Sequence, residues 1–257
     1  MSPAEAVAVL AAGIGAGTIN TIVGSGTLIT FPVLLAVGLP PVTANVSNTL
    51  GLVPGSVTGA IGYRSELGGQ RARLLRLGLV CLVGGVTGAL LLVTLPSGAF
   101  DAIVPVLIGI ALVLVVLQPR LARAVQARRD RAGTTAPTHG GPVLLLGMLL
   151  ASAYGGYFGA AQGVLYLSLM GPLLDEPLQR INGMKNVLAA TVNGVAALFF
   201  IFVAHMDWAA VALIATGATI GGLIGARVGR RLPPAALRGL IVVVGVAAIV
   251  QLIIKDT

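Results

Sequence analysis

The chain has 257 residues, 16 of them basic and 8 acidic, and 56% of it is hydrophobic. Charged residues make up 9%, against about a quarter in a typical soluble domain, which excludes a disordered chain and an ordinary water-soluble enzyme. A net charge of +8 would point to nucleic acid in a soluble protein, but here the arginines fall in short loops between apolar stretches, where they set orientation in a bilayer.

The charges are segregated. After Glu5 the next charged residue is Arg64, and further charge-free gaps run from Arg76 to Asp101, from Arg131 to Asp175 and from Lys185 to Asp207. A spanning helix needs about 20 apolar residues. The pattern predicts an all-α polytopic membrane protein with apolar segments at 4–37, 43–63, 76–95, 101–118, 142–174, 186–203, 208–226 and 238–254. No basic region precedes the first apolar stretch, which argues against a cleaved signal peptide.

Two segments, 4–37 and 142–174, are too long for one simple span. Small and polar residues interrupt each in its middle, at Gly24-Ser25-Gly26-Thr27 and at 155–163, the latter ending in Gln162-Gly163. The short pieces that follow, 28–38 and 164–174, do not cross comfortably alone. A broken or re-entrant helical hairpin fits both stretches.

A shift of 137 residues aligns the halves without a gap. Gly26 falls on Gly163, Pro40 on Pro177 and Asn45 on Asn182; Gly84, Gly85 and Gly88 fall on Gly221, Gly222 and Gly225. Backbone-shaping residues coinciding at one offset predict two homologous membrane repeats, 1–118 and 140–257, joined by an Arg-rich, flexible linker at 119–139. The arginines of 64–76, of the linker and of 227–238 place those loops in the cytoplasm, whereas the loops around Asp101 and His205-Asp207 lack Arg and Lys and should be external. The shift maps basic loops onto external ones, so the repeats should be inverted. Each half is then a broken hairpin plus three transmembrane helices, with both termini external.

Inverted-repeat carriers hold substrate near the midplane, where broken helices meet. Gly24, Ser25, Gly26, Thr27, Gln162 and Gly163 are therefore candidate substrate-binding residues: a helix start presents N–H groups and a positive dipole end to an oxyanion. The competing reading is that these glycines only permit close helix packing. A second set lies on two matching helical faces, Asn45, Asn48 and Thr49 in one half and Asn182, Lys185, Asn186 and Asn193 in the other. Asn48 and Lys185 coincide under the shift, so one half offers an amide where the other offers a cation. Lys185 is one of two lysines, and an intramembrane cation points to function; the alternative is a lysine snorkelling from a helix end to the headgroups. The Asn and Ser residues have their own alternative, hydrogen-bond glue between helices. His205 and Asp207 read either as a proton-coupling pair or as a solvated loop. Cys81, the only cysteine, reads as a small buried hydrophobe, and neither a metal site nor a cofactor is expected.

The stretch Gly24-Ser25-Gly26-Thr27-Leu28-Ile29-Thr30-Phe31-Pro32 resembles the glycine-rich first segment of the TauE/SafE sulfite exporter family. Leu39-Pro40-Pro41-Val42-Thr43-Ala44-Asn45-Val46-Ser47-Asn48-Thr49 resembles that family's turn into its next helix. Asn182-Gly183-Met184-Lys185-Asn186-Val187 and the later Asn193 are similar to its Gly-x-Lys motif and downstream Asn. The resemblance implies a multi-pass protein of the plasma membrane, the inner membrane in bacteria. It also implies transport of a small anion such as sulfite, a sulfonate or a related organic anion. An anion channel and a non-transporting scaffold subunit use the same parts. Clustered His, Asp, Glu or Cys, which an embedded enzyme usually needs, are missing from the sequence pattern, so no catalytic residue is assigned. Small-residue faces such as Gly84-Gly85 with Gly88 are compatible with a homodimer.

Overall fold

The computed structural model describes residues 1–132 and 141–228, with Val243 and Val246. The predicted segment 238–254 and the linker residues 133–139 lie outside the described residues, apart from those two valines. Among the described residues every regular element is helical: α1 (Pro3–Ile22), α2 (Thr27–Ala36), α3 (Pro41–Gly62), a 3-10 turn (Arg64–Leu67), α4 (Arg71–Thr94), α5 (Ser97–Ala132), α6 (Pro142–Tyr157), α7 (Gln162–Leu173), α8 (Leu178–Val203) and α9 (Trp208–Val228). Among the described residues, five stretches are long and apolar enough to cross a membrane: α1, α4, residues Gly98–Leu117 of α5, α8 and α9. Large apolar side chains such as Val7, Leu79, Val106, Leu150 and Phe202 face outward, as a surface in hydrocarbon requires.

Local chemistry accounts for the helix boundaries. Ser2 and Glu5 form a capping box at the start of α1, with Pro3 in the first turn. Prolines also open α3 and α6. Both long segments are interrupted where the sequence predicts. The first breaks between Ile22 and Thr27, the second between Tyr157 and Gln162. The arms that follow, α2 with 10 residues and α7 with 12, rise only about 15–18 Å, roughly half of a 30 Å hydrocarbon core.

Three boundaries differ from expectation. α8 starts at Leu178, ahead of the apolar segment 186–203, because Pro177 provides the turn into it. Lys185 thus sits two turns inside the helix. α4 starts at Arg71, so Arg71, Arg73 and Arg76 occupy its first turns instead of a loop. α5 continues through Ala132, so the first part of the linker is helical.

The two halves interleave. α1 packs along α9, and α6 along α4; α3 lies against both α8 and α9, and α8 against α4. Glycine faces make these contacts close. A methyl at Gly17 would overlap the Ala218 carbonyl, and one at Gly88 the Ala153 carbonyl. Gly84, Gly85 and Gly88 face α6 and α8 of the same chain, so this face is occupied within the protomer and is not left for a second copy. α3 carries the polar Asn45, Ser47, Asn48, Thr49 and Ser56, all buried; its polarity is turned inward, away from lipid.

Candidate functional site

The two breaks touch. Gly24, at φ +86°, turns the chain out of α1 in a left-handed conformation that favours glycine. Its carbonyl accepts the N–H of Gly163 at 3.0 Å. A Cβ on either residue would overlap the other's backbone. At the position equivalent to Gly24 under the 137 shift, Ala161 also has positive φ, +58°. The two interruptions therefore share a backbone device as well as a register. Close packing of the glycines is what the geometry displays, and the Gly163 N–H is already satisfied.

Behind this contact the helix ends are capped across the halves. α1 stops at Ile22, leaving carbonyls without intrahelical partners. The Lys185 ammonium donates to the carbonyls of Asn20 (2.9 Å) and Thr21 (3.0 Å), and the Asn186 amide donates to Thr21 (3.2 Å). In the other half, the Asn45 amide donates to the carbonyl of Tyr157 at 2.9 Å, at the end of α6. Asn20 and Tyr157 are equivalent under the shift, as are Asn45 and Asn182. Each broken helix is thus capped by the third helix of the opposite half. Lys185 is 0% exposed, which rules out snorkelling. Its partners among the described residues are neutral carbonyls. A helix C-terminus offers about half a negative charge, so an ammonium here keeps an unbalanced positive remainder. The side chain also borders the break, since a Cβ on Gly163 would lie 3.0 Å from Lys185 Cδ.

The remaining polar groups pair with one another or stay open. Thr30 donates to the Asn48 amide oxygen, and the Asn48 amide donates to Thr27 Oγ1 at 3.2 Å, tying α2 to α3. Asn20 donates to Ser56 Oγ at 3.1 Å. Gln162 turns away from the glycine contact and donates to the Tyr166 hydroxyl at 2.7 Å, which also shares a hydrogen bond with Ser152. Thr49 spends its hydroxyl on the Asn45 carbonyl at 2.9 Å. Ser25 Oγ, Thr21 Oγ1, Asn45 Oδ1, Tyr157 Oη and Asn182 Oδ1 are buried without a hydrogen-bond partner. These open polar atoms are unusual in a packed interior. Asn193 is half-buried, two turns beyond Lys185.

The structure therefore gathers Gly24, Gly163, Lys185 and Asn186 around the end of α1. It joins Asn48 with Thr27, and it sends Gln162 into a separate cluster. Sequence reasoning missed Asn20, Thr21 and Thr30. Asn20 and Thr21 occupy the last turn before a helix break, where free carbonyls are expected; that was the available signal. Asp207 accepts the Ala210 N–H at 2.8 Å as an N-terminal cap of α9, and its own N–H donates to Ser47 Oγ at 2.9 Å. His205 is exposed, and Cys81 is fully buried. Among the described residues no group of three or more His, Cys, Asp or Glu converges on a metal-sized site.

The model of the family "Sulfite exporter TauE/SafE" matches residues 9–252. The chain is 28% identical over 230 residues to the probable membrane transporter protein YfcA of Escherichia coli K12, covering 89% of this chain and 82% of that one. It is 27% identical over 243 residues to the probable membrane transporter protein ORF9 of a Sinorhizobium species, covering 94% and 90%. A probable membrane transporter protein of Haemophilus influenzae is 24% identical over 218 residues, covering 84% and 81%. No solved structure matches. With a family match over nearly its whole length, and with apolar helices interrupted at two touching glycine breaks, the chain is a membrane transporter of the TauE/SafE family.

Proposed function

We propose that the protein is a secondary transporter of a small anion, sulfite or a sulfonate by preference, held where the two breaks meet. The observation that carries this reading is the burial of Lys185 against the end of α1 with, among the described residues, only neutral carbonyls as partners. A cation kept in a membrane interior in this way is costly unless an anion shares the site. Ser25 and Asn182 contribute polar atoms that are still open, and Asn186 and Asn193 extend the same helical face. Other candidates act indirectly: Asn45, Asn48 and Thr27 hold α2, α3 and α6 in place around the site, and Thr49 bonds back within α3.

We further read the two halves as inverted repeats. The 137 shift relates the breaks, the caps and the helix pairs α1–α9 and α6–α4, and the loop charges place equivalent loops on opposite faces. The arginine-rich stretches then lie on the cytoplasmic side and both termini outside, in the plasma membrane. Saturable counterflow of labelled sulfite in proteoliposomes tests the reading. A carrier exchanges label against unlabelled anion, a channel collapses the gradient without exchange, and a scaffold moves nothing.

A further inference from the structure

One end of the helix bundle is closed by charge. Glu176, between α7 and α8, accepts Arg73 Nη1 at 2.7 Å on one carboxylate oxygen and Arg180 Nη1 at 2.8 Å on the other. Arg73 also donates to the Gln70 side chain, while Arg180 donates to the carbonyls of Glu66 (3.2 Å) and Gly68. The cluster ties the turn between α3 and α4 to the turn between α7 and α8, one from each half. Arg73 and Glu176 side chains are only 9% and 12% exposed. Leu174, beside them, is fully buried.

The equivalent place in the other half is different. Subtracting 137 carries Leu174, Glu176 and Arg180 to Val37, Leu39 and Thr43; adding 137 carries Gly68 and Gln70 to His205 and Asp207. These five counterparts line a cavity of about 530 Å³. Leu39 stands where Glu176 would be, so the ion pairs have no counterpart there. Asp207 already caps α9 and is held by Ser47. The same pair of turns is thus latched at one end and parted at the other.

We propose that the Arg73–Glu176–Arg180 cluster is a gate that shuts one end of the substrate path, and that the cavity at Val37, Leu39 and His205 is the open mouth of the same path. The proposal rests on the transporter reading and adds to it the state of each end and the residue, Glu176, that holds the closed one. Two-fold related turns that adopt different spacings are what alternating access requires of an inverted pair. A carboxylate shared by two guanidiniums from opposite halves forms a latch that breaks when those halves rock apart.

The test uses the full chain in detergent, in a Cys81→Ala background, with single cysteines at Val37 or Leu174 and a small thiol reagent that reaches both ends. Val37→Cys should react at least about tenfold faster than Leu174→Cys, because the ratio reports the population of each open end. Adding Glu176→Gln should raise the Leu174→Cys rate several-fold and lower that of Val37→Cys; Glu176→Asp should keep the wild-type pattern. Arg180→Gln is a second probe that leaves the carboxylate on Arg73, and it should act in the same direction. Equal reactivity of the two cysteines in the wild type would overturn the gate, as would rates unchanged by both Glu176→Gln and Arg180→Gln. Rates that respond to Glu176→Gln in a protein that moves none of the anions tested would support the gate and remove the anion reading.

Discussion

The N–H of Gly163 donates to the carbonyl of Gly24 at 3.0 Å, so the two interruptions of the membrane helices are joined backbone to backbone. Neither residue has room for a side chain. Gly24→Ala would pay about 1–2 kcal/mol for its left-handed backbone and would in addition collide with Gly163. It should reduce folded yield in the membrane, read by size-exclusion of a fluorescent fusion. Gly163→Leu should abolish transport. Gly26→Leu should do the same, since even a methyl there meets the Ala16 carbonyl at 2.8 Å.

Asn45 caps α6 through Tyr157. Asn45→Ala leaves that carbonyl unpaired in a buried setting and should cost about 1–3 kcal/mol, seen as a lower melting temperature in detergent. Thr49→Val should cost less, because its hydroxyl bonds only to the Asn45 carbonyl one turn back within α3.

The latch at Glu176 has a defined acid response. Burial alone would raise its carboxyl pKa, but hydrogen bonds from Arg73 and Gln70 and the charges of Arg180 and Arg73 outweigh burial and hold it below the ordinary value of 4.5. A depressed folded value contributes stability above the unfolded value and loses it as pH falls through the folded one. Melting temperature should therefore be insensitive to this group from about pH 7 to about pH 5 and fall below the ordinary carboxylate range. Glu176→Gln should flatten that acid-side loss; an identical acid profile in both proteins would contradict the assignment.

Orientation is open to a direct check. A reporter active only in the cytoplasm should be silent when fused at the C-terminus and active when inserted in the linker near residue 135. Activity at the C-terminus would contradict the inverted arrangement.

Much of the fold was legible in the sequence, because membrane insertion is written in charge-free lengths. Breaks at 24–27 and 155–163 could be placed because glycine and small polar residues interrupt otherwise apolar runs. The apolar run 186–203 marks only part of α8, which starts at Leu178; the polar face of Asn182, Lys185 and Asn186 extends the helix where charge interrupts the run. In the folded chain Arg180 is paired with Glu176 and two carbonyls, and Lys185 is held by the carbonyls at the end of α1, which balance only part of its charge. Pairing of this kind is long-range, so it leaves no mark in local composition. The same reason hid Asn20 and Thr21, whose part is played by backbone carbonyls and not by side chains. Gln162 was placed at the break correctly, but its partner Tyr166 one turn on draws it elsewhere.

The central claim is that Lys185 lends its charge to an anion at the meeting of the breaks. Counterflow of labelled sulfite, or of a sulfonate, into proteoliposomes should be measured for the wild type, Lys185→Ala and Lys185→Arg, with insertion of each confirmed by a fluorescent fusion. The account predicts saturable exchange by the wild type and a loss of at least about tenfold in Lys185→Ala, equivalent to roughly 1.4 kcal/mol. Lys185→Arg should retain part of the rate. Wild-type exchange by a correctly inserted Lys185→Ala protein would contradict the account and leave Lys185 as a helix cap alone.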